Sequence, residues 1–187
     1  MLSYEISKLH PSLPPNPNTS KFIPMRKLTT IICLTLAVLL GSARMSASAD
    51  FQKGVVAFIS GDTATALREW KPLAEQGNAD AQTYLGVMYA GGQGVSQNYK
   101  TALKWYRLAA EQGHAYAQTN LGVMYGIGKG VIKDWVYAHM WLNIAASSGN
   151  KNAVKKRNIF VKRMTPAQIA EAQRLARECV RKKYKGC

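Results

Sequence analysis

Three histidines, three cysteines and ten carboxylates are the side chains from which this chain could build a reactive centre. His10 lies in a leader rich in Pro, Asn and Ser. His114 falls in a turn between two predicted helices, and His139 stands beside Trp141, where a surface or boundary position is expected. No pair of histidines has the HExxH spacing that sets two imidazoles and a base on one helix face, and there is no CxxC. The run Gly91-Gly92-Gln93-Gly94 is not followed by the Lys-Ser/Thr pair with which a phosphate loop grips a nucleotide. No serine, lysine or cysteine stands in a recognisable nucleophile setting, beside a base that would activate it. Asp62, Glu69, Glu75 and Asp80 read as solvated helix ends and faces. The sequence predicts no catalytic residue, no cofactor and no metal site.

The charge is unevenly placed. Residues 50–150 hold eight Lys/Arg against seven Asp/Glu, a balance of +1, whereas residues 151–187 hold twelve against two, +10. The stretch KNAVKKRNIFVKR sets Lys155, Lys156, Lys162 and Arg163 on one side of a predicted helix, with Val154, Phe160, Val161 and Met164 on the other. The tail RKKYKGC adds Lys182 and Lys183. These six cations are the candidate contacts to an anionic surface, with a plainly solvated cap face as the alternative. Nucleic acid is an unlikely partner, because the N-terminal region reads as an export signal. Arg26 and Lys27 precede a short apolar run at 31–41, and Ala47-Ser48-Ala49 has the small residues of a cleavage site. That run is about half the ~20 residues a membrane span needs. The reading is a leader and cleaved signal over 1–49, with the start at Met1 or Met25 left open and the signal complete from Met25, no transmembrane anchor after cleavage, and a periplasmic or secreted product. Cys179 and Cys187 then meet an oxidising compartment. A bridge between them and a buried Cys179 with a free Cys187 are both open on the sequence alone.

What positions these residues is a repeat. Residues 81–116 and 117–152 align without a gap at sixteen identities. Ala81, Leu85, Met88 and Tyr89 recur on one helical stripe, and Ala102, Trp105, Ala109 and Ala110 on a second. Gly94 and Gly130 fall in the breaker between the stripes, and Gly113 and Gly149 where a helix end takes glycine. Gly86 and Gly122 lie inside helices at a cost of about 1 kcal/mol relative to Ala, which points to close helix approach. A diverged copy precedes them. Ala66, Trp70, Ala74 and Gly77 replace Ala102, Tyr106, Ala110 and Gly113, and Gly54 matches Gly86 if the turn Ser60-Gly61-Asp62 is four residues shorter. Beyond the repeats, 153–164 and 166–182 read as helices. Thr165 suits an N-cap and Pro166 the first turn, while Ile169, Ala172, Ala176, Cys179 and Val180 share one face.

The pattern Ala-x3-Leu-Gly-x2-Tyr…Gly-x-Gly-Val…Ala-x2-Trp…Ala-Ala-x2-Gly resembles the Sel1-like repeat, a relative of the tetratricopeptide repeat. Both central copies carry it nearly completely; the first lacks the Leu before Gly54 and the Gly-x-Gly turn. The resemblance implies an all-α, right-handed α-solenoid of antiparallel helix pairs. Its parts would be a divergent pair at 50–80, repeats at 81–116 and 117–152, and basic capping helices and a tail at 153–187. It further implies a non-catalytic adaptor binding a protein or peptide. The alternative the family offers is an envelope enzyme or ligand binder acting on peptidoglycan-like or β-lactam molecules. First helices of stacked pairs tend to line the inner face, so the groove candidates are Gln82, Thr83, Tyr84, Gln118, Thr119 and Asn120.

Overall fold

The computed structural model describes residues 48–187. The leader and the apolar run read as an export signal lie outside the described residues. Eight helices and no strand form among those described: α1 over residues 48–59, α2 Thr63–Glu75, α3 Ala79–Gly91, α4 Tyr99–Ala110, α5 Ala115–Ile127, α6 Trp135–Ser147, α7 Lys151–Val161 and α8 Pro166–Arg181.

Helix starts follow the repeat more faithfully than the helix interiors do. Asp62, Asn98 and Asp134 cap α2, α4 and α6, each side chain accepting the N–H three residues on. Asn78, His114 and Asn150 do the same for α3, α5 and α7. Both sets recur every thirty-six residues, and each cap satisfies an N–H that the helix itself leaves open. The period therefore reaches back to Asp62 and forward to Asn150, beyond the two nearly identical copies.

Within each pair a glycine of the first helix receives a large side chain of the second. A Cβ on Gly86 would stand 2.5 Å from the Tyr106 ring, and one on Gly122 would stand 2.8 Å from Leu142. Gly54 meets Trp70 in the same way, so the shorter first turn is accommodated. The expectation that these glycines serve close packing holds. Between pairs, Gly94 and Gly130 take φ of +71° and +75°, as their place in the breaker predicts. Each backbone lies so close to the first residue of the preceding second helix (Thr63 or Tyr99) that no side chain fits. The turn is thus a contact between neighbours as well as a reversal.

The core runs along the stack in two clusters. One joins Trp70, Leu73, Leu85 and Met88; the other joins Tyr106, Leu121, Trp141, Leu142, Ile144 and Phe160. Trp141 is buried and Trp105 half-buried. Among the described residues no helix is long and apolar enough to cross a membrane.

The last two helices break the pattern. α7 packs on α6, but α8 lies along α6 instead of returning on α7 as a hairpin partner. The reason is in α7 itself. Lys155, Asn158 and Lys162, all exposed, stand thirty-six residues after Thr119, Gly122 and Gly126, which are buried in α5. Unpaired ammonium groups resist burial, so no helix can close over that face, and the stack ends. α8 presents Ala172, Ala176 and Cys179 inward and its charges outward, as expected of a lid. Cys179 and Cys187 form a disulfide (Cα–Cα 5.6 Å). The bridged tail folds Tyr184 against the turn at Gly113, tying the lid back to the α4–α5 junction.

Candidate functional site

The first helices α1, α3 and α5 border a cleft of about 400 Å³. Phe58 comes from α1; Asp80, Thr83, Tyr84 and Val87 from α3; His114 and Tyr116 from the start of α5. Its walls are mainly aromatic and aliphatic, and Tyr116 keeps 50% of its surface exposed. Tyr84 is anchored from behind. Its ring centroid lies 4.4 Å from that of Trp70, with Phe51 and Phe58 against it at 5.8 and 6.1 Å. A half-buried ring held by three others offers a rigid apolar surface at little further entropy cost.

The polar rim is equally fixed. His114 Nδ1 accepts the Ala117 N–H as the α5 cap, so the ring proton sits on Nε2, which donates to Asp80 Oδ1 at 3.0 Å. Thr83 donates its hydroxyl to the Ala79 carbonyl and lies 3.1 Å from Nδ1. A general base needs a free nitrogen within reach of a substrate proton. Both nitrogens of His114 are engaged by protein, so the His–Asp pair joins α3 to α5 and shapes the cleft. Among the described residues no group of three His, Cys, Asp or Glu is placed to hold a metal ion.

The structure separates the six residues expected in the groove. Gln82, Thr83, Gln118 and Thr119 are buried, a correction to their assignment as groove residues, though Thr83 still borders the cleft. The glutamine Nε2 groups donate to Ala74 O and Ala110 O, carbonyls in the last turns of α2 and α4. Orphan carbonyls there need donors, so these glutamines staple one pair to the next. Gln82 Oε1 accepts from Gln112, whereas Gln118 Oε1 is buried without a partner, because Ser148 replaces that glutamine one period later. Thr119, like Thr83, back-bonds within its helix. Tyr84 is in the cleft, though its packing on Trp70 makes it part of the core as well; Asn120 is half-buried one pair further on.

His139 is a second correction. It is 3% exposed, its Nδ1 lacks a partner, and burial, with Arg157 nearby, pushes its pKa below the ordinary 6.5. α8 lying on α6 encloses that helix on nearly all sides, which the sequence pattern did not reveal. The six basic candidates Lys155, Lys156, Lys162, Arg163, Lys182 and Lys183 are all exposed. A further depression of about 550 Å³ between α6 and α8 is floored by Ile144 and Ala176. Its Arg174 is held by Glu171 and Glu178 at 2.6 and 2.8 Å.

The sequence profile of the Sel1 repeat matches residues 79–114 and 115–150, the same period set two residues earlier than the sequence alignment above. Two solved structures are similar. One is a protective antigen of uropathogenic Escherichia coli strains displaying an SLR fold. It is 32% identical with a TM-score of 0.70, and the match covers 74% of this chain and 30% of that one. The other is a Sel1 repeat protein from Oxalobacter formigenes, 36% identical with a TM-score of 0.56, covering 66% of this chain and 97% of that one. The chain thus spans under a third of the antigen's length and nearly all of the second protein's. No curated protein matches it.

Proposed function

Because the chain belongs to the Sel1 repeat family, whose repeats are protein-interaction modules, we propose that it is a non-catalytic adaptor of the cell envelope, exported through its N-terminal signal. It holds a protein or peptide segment in the cleft between α1, α3 and α5. The observation that carries this reading is the cleft itself, with aromatic walls anchored from behind and a polar rim whose hydrogen bonds are already made. Such a surface adds contact area without adding reactivity. The family's other possibility, action on peptidoglycan-like or β-lactam molecules, needs a free nucleophile or base in a pocket, and His114 supplies neither.

The test places a photo-crosslinking side chain at Tyr116, on the exposed rim, and identifies what it captures in cells. Asp80→Lys and Val87→Glu, both in the cleft lining, should abolish that capture. Capture that survives both substitutions removes the cleft as the site. Covalent labelling by a fluorescent penicillin would favour the enzymatic alternative. N-terminal sequencing of the product from fractionated cells tests export; an uncut leader in the cytoplasm refutes it.

A further inference from the structure

The end of the stack carries a second surface, independent of the cleft. Ile159 is exposed at 53% on the outer face of α7. Lys155 and Lys156 stand four and three residues before it, one helical turn away, and Lys162 and Arg163 follow three and four residues after it, in the turn that ends α7. All four are exposed. Among the described residues none is drawn into an ion pair of the kind that holds Arg174 to two glutamates. The hairpin arrangement that would cover this face is missing, because α8 lies on α6.

We propose that this face docks on a bilayer of anionic phospholipid, with the four cations on headgroup phosphates and Ile159 at the boundary of the acyl chains. The charge complementarity is local. Residues 151–187 carry +10 while residues 50–150 carry +1. Juxtamembrane cations each contribute about 1 kcal/mol near an anionic surface, and an aliphatic side chain at their centre adds apolar transfer where it reaches the acyl-chain boundary. A nucleic-acid backbone would use the cations but leave Ile159 stranded against phosphate and water, which makes it the poorer fit.

The experiment is flotation of the full chain with phosphatidylcholine vesicles, with and without phosphatidylglycerol. The apolar run at 31–41 is common to every variant, so the reading is the ratio between variants. Binding should require phosphatidylglycerol and weaken as salt rises. Lys155→Gln with Lys156→Gln should lower partitioning roughly 25-fold, from about 1 kcal/mol for each lysine; Lys162→Gln with Arg163→Gln should repeat the loss. Ile159→Ser should lower it roughly fivefold. These side chains lie outside the core, so the melting temperature should hold. Equal binding to phosphatidylcholine alone, an unchanged ratio for either cation pair or for Ile159→Ser, or binding to a duplex oligonucleotide without binding to vesicles would overturn the proposal. Val87→Glu in the cleft leaves vesicle binding intact, so failure of the cleft reading is a separate result.

Discussion

Adding a single methyl group at Gly86 should destabilise the protein, although alanine in a helix is ordinarily worth about 1 kcal/mol over glycine. A Cβ there would stand 2.5, 2.6 and 2.9 Å from three ring carbons of Tyr106, inside the 3.0 Å that real Cβ contacts respect. The ring cannot simply swing aside, because Tyr106 is 4% exposed and packed in the core. Overpacking of this kind costs about 1–3 kcal/mol. Contacts with three atoms of one rigid ring place Gly86→Ala toward the upper end. Less the helical gain, the net is about 1–2 kcal/mol of lost stability, or roughly 3–8 °C in Tm for a domain of this size. Thermal and urea unfolding of the purified protein measure it. A cycle with Tyr106→Ala isolates the cause, because it removes the ring atoms that the new Cβ would meet. Each single change should destabilise, and the pair should recover at least about 1 kcal/mol of the summed loss. A higher Tm for Gly86→Ala, or strict additivity in the pair, would refute the claim that this glycine exists to admit the ring.

Three further outcomes follow from the same structure. His114→Ala should cost about 1 kcal/mol by removing the α5 cap, while His114→Asn, the residue found at Asn78 and Asn150, should retain most of the stability; urea midpoints decide. Cys187→Ser opens a loop of sequence separation 8 and should cost about 2.5 kcal/mol, as should reduction of the native protein, with Tyr184 lifting from the Gly113 turn in near-UV circular dichroism. His139 binds its proton more weakly folded than unfolded. Stability is therefore complete above the unfolded value of 6.5 and falls as pH drops below it toward the lower folded value, by up to about 1.4 kcal/mol per pH unit. His139→Leu, matching Leu103 one period earlier, should flatten the urea midpoint between pH 7.5 and 5.5, and an unchanged slope would show that the imidazole is not buried neutral.

The helix pairs, their glycine contacts and the lid were legible because they rest on local signals: a 3.6-residue stripe, a breaker, a cap. The first pair was legible through Trp70 and Gly54 despite the shortened turn. The buried glutamines were not. A glutamine on a helix reads as a surface residue, and only the terminal carbonyls of Ala74 and Ala110, supplied by a neighbouring helix pair, make burial of Gln82 and Gln118 favourable. His139 was misplaced for a related reason. Its helix, α6, is covered by α7 and α8 as well as by α5, a non-local arrangement. The signal for that arrangement was present in Lys155, Asn158 and Lys162 standing at buried positions of the repeat, and the caps at Asp62 and Asn150 could also have been found by extending the period.

These corrections change where function should be sought. Positions at which the copies agree (Gln82 and Gln118, Thr83 and Thr119, Gly86 and Gly122) are consumed by architecture, since each makes the same contact one period apart. A solenoid has no other way to make specificity from a repeated framework than to vary side chains that the framework does not use. On the first helices the copies differ at Asp80 against Tyr116, and at Tyr84 against Asn120 and Lys156, spaced by the same thirty-six residues. Asp80, Tyr116 and Tyr84 line the cleft, and Lys156 carries the second series from an aromatic wall at α3 to a cationic face at α7. The two surfaces, one for a protein segment and one for an anionic bilayer, thus lie along a single row of positions at which the copies differ. Exchanging Tyr84 and Lys156 should impair cleft capture and vesicle binding together, yet cost stability only at position 84, where the ring packs on Trp70.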